Sequence, residues 1–342
     1  VGAVLRATID GEVERLVGAL RGVVVEHVVW ARDDARRTAG AEASRHDLLE
    51  ELFPLRLLKW HWLTLAIGHF GGLDPDTLDP VPEILEIEYY RRLAEGALDR
   101  PIVAVEVDDL AGRGTIPGLE PAVVLPGLSF VEARRRGKLL LLETEGPTFG
   151  MRFGMTGGLL LDGLAGIDEL RYGPGTYEAK WIRATVRFED GGALLLHDPR
   201  RLGRVSIDPD VSALGPDALS LTRGQLATAL RARTPDSGPA LKARLLDQSK
   251  IAGIGNLLAD EILWRAGIDP NRPCNSLDDR EVTRLHRHLR RTLDELLERG
   301  GSHTGDHMVE RRPGGHCPRD GHALFRATIG GRTTYWCPKH QH

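Results

Sequence analysis

Cysteine is scarce in this chain of 342 residues, where Cys274, Cys317 and Cys337 are the only three. Three thiols are too few for the disulfide framework of a small secreted domain, so a reducing cytoplasm is the expected compartment. Long hydrophobic runs are also missing. A membrane-spanning helix needs about 20 consecutive apolar residues. The longest candidate, from Trp60 to Phe70, is interrupted by His61 and His69. No signal-peptide pattern is read at the start, and no membrane partner is expected. Aromatic residues make up 5% of the chain, which leaves little of the ring-stacking surface that RNA-binding modules use. An excess of positive charge is absent as well, since the net charge is −4. Residues 1–81 carry all of that deficit, and residues 82–342 are balanced. Basic groups nevertheless cluster at Arg134-Arg135-Arg136, at Arg200-Arg201 and from Arg287 to Arg291. For binding a polyanion such a patch matters more than the total.

What is present is ordinary globular material: 41% hydrophobic and 27% charged residues, in a length that suits two or three compact units. Residues 1–80 read as helical pieces, with Val13, Leu16, Val17 and Leu20 at helical spacing and a second apolar piece from Leu48 to Ile67. They end in a linker, Gly71-Gly72-Leu73-Asp74-Pro75 and Asp79-Pro80. A helix is predicted from Glu86 to Leu98. Short alternating runs follow at Ile102–Val107, Lys138–Glu143, Gly158–Leu161, Ile182–Phe188 and Ala193–Leu196. Gly, Pro and Asp separate them at intervals suited to an antiparallel sandwich. Beyond Leu221 the period becomes helical, at Leu226–Leu230, Ala240–Leu246, Leu257–Ala266 and Leu277–Leu297. Asn275-Ser276 precedes the last of these as a cap, and Gly300-Gly301 follows it as a stop. The expected fold class is therefore α+β and multi-domain. An N-terminal helical extension covers 1–81, an antiparallel β-sandwich domain 82–210, a helical domain 222–305 and a ribbon 312–342.

Three stretches carry chemistry. The first is Val81-Pro82-Glu83-Ile84-Leu85-Glu86-Ile87-Glu88. An internal proline has no basic nitrogen, but a terminal one is a secondary amine. With an α-amino pKa of roughly 7.7–8 such an amine is partly unprotonated near neutrality, and it can attack an electrophilic carbon to form an iminium. Glu83 stands beside it as an acid. Residues 1–81 contain no methionine, and a start read at Val81 would expose the Pro82 amine. The working chain is accordingly expected either to begin at Pro82 or to keep residues 1–81 as an acidic helical extension.

The second stretch is the tail. Cys317-Pro-Arg-Asp320-Gly-His322 and Cys337-Pro-Lys-His340 are two knuckles about twenty residues apart, the spacing of a two-hairpin zinc ribbon. Between them Ala327 to Tyr335 alternates around Gly330-Gly331, as a β-hairpin does. Cys317, Cys337 and His340 are the expected ligands of one structural Zn2+ ion. The fourth is Asp320 by spacing or His322 by ligand preference. Arg332 would be presented rigidly on that hairpin, as a phosphate ligand needs. The third stretch runs from Leu245 to Glu261. Gly253 and Gly255 permit a tight turn straight into a helix with Asn256 at its cap. The free N–H groups of such a helix start form a ready phosphate site.

Together these stretches resemble the Fpg/Nei family of DNA glycosylase/AP lyases, the formamidopyrimidine-DNA glycosylase superfamily, over residues 82–341. Pro82-Glu83-x-x-Glu86-Ile87-Glu88 matches its N-terminal signature, and Arg136-Gly137-Lys138-Leu139-Leu140 looks like the strand that carries its essential lysine. Phe153-Gly154-Met155-Thr156-Gly157 and His197-Asp198-Pro199-Arg200-Arg201-Leu202-Gly203 look like its two DNA-wedge loops. Asp247-Gln248 through Asp260-Glu261 matches its helix–two-turn–helix, and the tail matches its zinc ribbon. The resemblance implies base-excision repair by a monomer, located at the nucleoid if bacterial, on double-stranded DNA with oxidised bases or abasic sites. In that scheme Pro82 is the nucleophile at the sugar, Glu83 the acid/base, Glu86 a further acidic partner and Lys138 a contact to the target nucleotide. Met155, Arg200 and Leu202 fill the gap left by the flipped nucleotide, while Lys242, Asn256 and Arg332 hold phosphates.

The chain also departs from that pattern. Leu85 stands where the family has a second proline, Leu202 where it has an aromatic wedge, and Arg152 where it has a histidine. The segment between Gly300 and Cys317 is too short for the long loop that folds over a damaged purine, which favours oxidised pyrimidines or abasic sites. A protein that binds damaged DNA without catalysis, with Pro82 blocked by the extension, is the alternative. Retention of Glu83, Glu86 and Lys138 favours the enzyme.

Overall fold

The computed structural model describes residues 82–112, 118–167, 177–231 and 238–342, all within one unit, Asp74–His342. The predicted extension 1–81 lies outside the described residues. The first described element is helix α1, Ile84–Ala94, whose buried Ile84, Leu85, Ile87, Tyr90 and Ala94 recur at helical spacing. Glu86 in the first turn and Arg91 and Arg92 in the last suit the helix dipole.

Two antiparallel sheets follow. One has the order β1-β7-β8-β5-β6 and the other β2-β3-β4-β9. The first contains β1 (Ile102–Val107), β5 (Gly158–Leu161), β6 (Leu164–Ala165), β7 (Ile182–Phe188) and β8 (Ala193–His197). The second contains β2 (Glu132–Arg136), β3 (Leu139–Glu143), β4 (Thr148–Arg152) and β9 (Arg204–Ile207). A one-turn helix, α2 (Pro121–Val124), packs against β1. Residues of both sheets, among them Phe149, Leu142, Phe188 and Leu196, share one core. The sandwich expected from the sequence is thus present. The alternation in the sequence does not reveal β2, β4, β6 or β9. β2 reads Glu-Ala-Arg-Arg-Arg and buries only Ala133, so it offers no apolar alternation to read.

The helical part consists of α3 (Arg223–Leu230), α4 (Leu241–Leu246), α5 (Asn256–Ala266) and α6 (Asp279–Arg299). The cap of α6 is Asp278, which exchanges hydrogen bonds with Glu281, not the expected Asn275-Ser276. Gly300, at φ 112°, stops the helix as the sequence suggested. The tail forms the hairpin β10 (Phe325–Ile329) and β11 (Arg332–Trp336) around Gly330-Gly331.

Helix α1 fastens the parts together. Ile84 and Leu85 belong to the core of the helical part, whereas Ile87, Tyr90 and Ala94 belong to the core of the sandwich. Fully burying an aliphatic side chain is worth about 1.5–3 kcal/mol, so these few residues tie the two cores firmly. The Ile84 N–H donates to the Gly253 carbonyl at 3.1 Å. A Cβ on Gly253 would stand 2.4 Å from the Ile84 side chain, and the glycine's φ is +111°. Only glycine meets both demands.

Candidate active site

The start of α1 therefore lies directly on the turn that opens α5. Pro82, Glu83 and Glu86 are all buried there. The Glu83 carboxylate accepts hydrogen bonds from the N–H groups of Gly255 (2.7 Å), Leu257 (2.7 Å) and Leu258 (3.2 Å). This corrects one expectation. The N–H groups at the α5 start, read as a phosphate cradle, are taken by Glu83. A Cβ on Gly255 would meet the Glu83 carboxyl at 2.2 Å, so glycine is required there for close approach. Asn256 is the first helical residue and Gly255 the cap; the buried Asn256 Oδ1 has no partner among the described residues.

Glu86 is held as firmly. Its Oε2 accepts the Glu83 N–H at 2.9 Å, and its Oε1 accepts the N–H (2.6 Å) and hydroxyl (2.8 Å) of Ser302. Ser302 opens a 3₁₀ turn, Ser302–Thr304, just past α6. His303 follows it with its Nδ1 buried and without a partner among the described residues. A Cβ placed on Gly301 would lie 2.7 Å from Glu86 Oε1 and 3.4 Å from His303 Nδ1, so the imidazole lies near that carboxylate. Sequence reasoning missed Ser302 and His303. Only their place after the Gly300-Gly301 stop could have drawn notice.

Lys138 sits in the tight turn joining β2 to β3, opposite Gly137 at φ 56°, and not on the strand itself. Asp217 fixes that turn by accepting the Gly137 N–H at 2.7 Å and Arg135 Nη1 at 2.6 Å. Burial pushes the Lys138 ammonium down from the ordinary lysine value, while Glu83 and Glu86 pull it back up. Burial pushes the Glu83 carboxyl above the ordinary range; Lys138 opposes that and Glu86 adds to it. The electrostatics thus join Glu83, Glu86, Lys138 and Arg332, the last exposed at the hairpin tip.

The two loops assigned to DNA filling lie beside each other. Met155 is half-buried, Arg200 is exposed and Leu202 keeps 41% of its surface exposed. Two expectations of basic contacts change. Lys242 is fully buried, with Nζ 2.6 Å from Asp260 and 2.7 Å from Thr334 Oγ1, so its charge is used internally and not on a phosphate. The run Arg134-Arg135-Arg136 is no free patch either. Arg134 pairs with Glu143, Arg135 with Asp217 and Glu88, and Arg136 donates to the Leu214 and Gly215 carbonyls.

In the tail, Cys317, Asp320, Cys337 and His340 bring their donor atoms within 4.8 Å of one another. The His340 Nδ1 lies 3.4 Å from Cys317 Sγ and 3.5 Å from Asp320 Oδ2, which is itself 3.4 Å from Cys337 Sγ. Metal bonds of about 2.0–2.3 Å in a tetrahedron give donor separations of this size, so the residues fit a bound metal ion. His340 Nε2 meets the Trp264 carbonyl at 3.2 Å, which leaves Nδ1 as the ligand atom, and Trp264 Nε1 donates to Cys317 Sγ at 3.4 Å. Of the two candidates for fourth ligand, Asp320 is in the group. His322 contributes through its backbone: its carbonyl accepts the Cys317 N–H, and its N–H donates to Asp320 Oδ1 and, with the neighbouring donors, holds that carboxyl down at about 2.

A β-sandwich, a helical unit and a hairpin carrying a Cys/Asp/His group that fits a metal ion thus surround buried carboxylates and a lysine. The comparisons name the family. Residues 81–205 match the formamidopyrimidine-DNA glycosylase N-terminal domain, and residues 214–307 match the formamidopyrimidine-DNA glycosylase H2TH domain. The chain belongs to the formamidopyrimidine-DNA glycosylase family. It is 34% identical over 279 residues to the formamidopyrimidine-DNA glycosylase of Geobacter metallireducens, covering 76% of this chain and 100% of that one. The solved MutM (Fpg) protein of Thermus thermophilus superposes with a TM-score of 0.61 at 31% identity, over 76% of this chain and 98% of that one. The Lactococcus lactis Fpg bound to DNA with an abasic site shares the fold, with a TM-score of 0.62 at 23% identity, over 76% of this chain and 99% of that one.

Proposed function

We propose that this protein is a base-excision DNA glycosylase that also nicks the resulting abasic strand, using the Pro82 amine for both steps. The observation that carries this reading is the buried group Pro82, Glu83, Glu86 and Lys138, set against the turn that opens α5. The amine would attack the anomeric carbon of a flipped nucleotide, and Glu83, whose carboxyl burial pushes above the ordinary range, would deliver the proton that opens the sugar. The resulting iminium acidifies the adjacent C–H, so elimination breaks the strand at the same centre. An oxidised base or abasic site suits the scheme, because a damaged base costs least to extrude. Met155, Arg200 and Leu202 would fill the gap, and Arg332 and Asn256 would hold phosphates. One Zn2+ ion in the Cys317, Asp320, Cys337 and His340 group would keep the Arg332 hairpin rigid. The protein would act as a monomer in the cytoplasm, without a membrane.

In the chain as written Pro82 is joined to Val81, and an amide nitrogen cannot attack carbon. We therefore take the catalytic form to begin at Pro82. Support comes from the relative whose whole length is covered by 76% of this chain, and from a family match that begins at residue 81. The test is strand incision on duplexes carrying an abasic site or an oxidised pyrimidine. The form beginning at Pro82 should cut both, and the full 342-residue chain should bind without cutting. Equal cutting by both forms would refute the amine mechanism. Binding without cutting by both would leave a damaged-DNA-binding protein.

A further inference from the structure

Asp198 stands just past the end of β8, fully buried, and its carboxylate reaches both of the neighbouring loops. Its Oδ1 accepts the Thr156 hydroxyl at 2.5 Å and the Arg200 N–H at 3.1 Å. Its Oδ2 accepts the N–H groups of Leu202 and Gly203, both at 2.6 Å. Thr156 belongs to the turn that carries Met155, and Arg200 to Gly203 form the other loop. The second loop is bent sharply, since Arg201 between the two contact residues has φ 57°. Such a conformation is costly for a residue with a side chain and persists only where the surroundings impose it. Arg201 is anchored outward on Asp108 at 2.6 Å, while the Asp198 carboxylate anchors the loop inward. The loops then meet so closely that a Cβ on Gly154 would lie 2.6 Å from the Leu202 Cβ.

We propose that Asp198 is a positioning residue that locks the Met155 and Leu202 loops into one wedge, so that both side chains enter the duplex together. The inference rests on the gap-filling reading given above. Extrusion of a paired base is favourable only if the vacated space is filled as the base leaves. Two loops that had to find their spacing during that event would pay their ordering cost then, whereas a wedge already assembled pays it in folding. A carboxylate suits this role because it is an acceptor on both sides. An amide of the same shape would turn an NH2 group against either the Leu202 and Gly203 N–H groups or the Arg200 N–H.

The test compares Asp198→Asn and Thr156→Val in the form beginning at Pro82. The substrates are a duplex with a paired oxidised pyrimidine and an abasic site inside an unpaired bubble. A 2-aminopurine beside the lesion reports unstacking in stopped flow. Both variants should lose on the order of tenfold or more in excision of the paired lesion, the scale of a hydrogen bond to a charged group. The 2-aminopurine rise should slow by the same factor, and the bubble substrate should lose several-fold less. Equal losses on both substrates would assign Asp198 to general folding, and unchanged unstacking would overturn the proposal. Should Asp198→Asn not fold, Thr156→Val alone decides. Leu202→Ala separates the two levels. If it leaves unstacking at the wild-type rate, the gap-filling reading itself fails. If it slows unstacking while Asp198→Asn and Thr156→Val do not, only the proposal about Asp198 fails.

Discussion

Two buried carboxylates in this protein face lysines and end up in opposite states. Asp260, on α5, closes to 2.6 Å of Lys242 and 2.7 Å of Arg311. Burial pushes its carboxyl up, but those two cations more than offset that and hold it below the ordinary value. Glu83 is equally buried, yet its oxygens receive only backbone N–H groups. Among the described residues no ion pair closes between it and Lys138, and its carboxyl is raised. The first arrangement is a strut. Lys242 also bonds Thr334, and Arg311 donates to the Thr333 carbonyl at 2.8 Å, so the pair fastens the β10–β11 hairpin to α5. The second leaves the carboxyl shifted upward, in the direction a proton donor needs. Distance decides between them: a pair at contact compensates both charges, and a pair held apart leaves each perturbed and reactive.

The comparison can be broken from either side. Glu83→Gln, in the form beginning at Pro82, removes the proton donor while keeping the hydrogen-bonding shape. Base excision should fall by roughly 10²–10⁴-fold, as for loss of a general acid, with much less change in affinity for abasic-site DNA. A rate within threefold of the parent would take Glu83 out of the chemistry. Lys242→Ala should destabilise folding by about 3–5 kcal/mol, because it leaves a buried carboxylate short of a partner. Urea unfolding measures this, and Lys242→Met with Asp260→Leu should recover much of the loss. A change under 1 kcal/mol would mean the strut is not stabilising. The sign with pH follows from the lowered Asp260 carboxyl. Its contribution is present above the unfolded value of roughly 3.9, and it is lost as pH falls through the lower folded value.

A smaller effect sharpens the other side. In the proposed mechanism excision needs Glu83 protonated, so activity should decline as pH rises through its raised pKa. Glu86→Gln removes a like charge that raises this pKa, and the alkaline limb should move to lower pH. Lys138→Met removes an opposite charge that lowers it, and the limb should move to higher pH. The pH profile of kcat/KM for both variants checks the pair. Shifts in the same direction would assign that limb to another group.

Much of this was legible in the sequence because it is local. The helix expected from Glu86, which the structure places at Ile84–Ala94, the Gly330-Gly331 hairpin and the Cys-x-x-Asp and Cys-x-x-His knuckles each depend on residues a few positions apart. What failed to show depends on distant partners. The N–H groups opening α5 look free until Glu83, more than 170 positions earlier, is seen to fill them. Lys242 reads as a solvent-facing cation until Asp260 and Thr334 enclose it. The triple arginine of β2 reads as a nucleic-acid patch, although its members are bound to Glu143, Asp217, Glu88 and two backbone carbonyls. Lys138 was read as part of a strand because the apolar run of β3 begins immediately after it. Only Gly137 at positive φ marks the turn.

The most direct measurement is borohydride trapping of the form beginning at Pro82 on abasic-site DNA, followed by peptide mapping of the cross-linked residue. The mechanism set out above requires the reduced adduct on the Pro82 nitrogen, with none formed after that amine is acetylated. An adduct on Lys138, or trapping that survives acetylation, would contradict it.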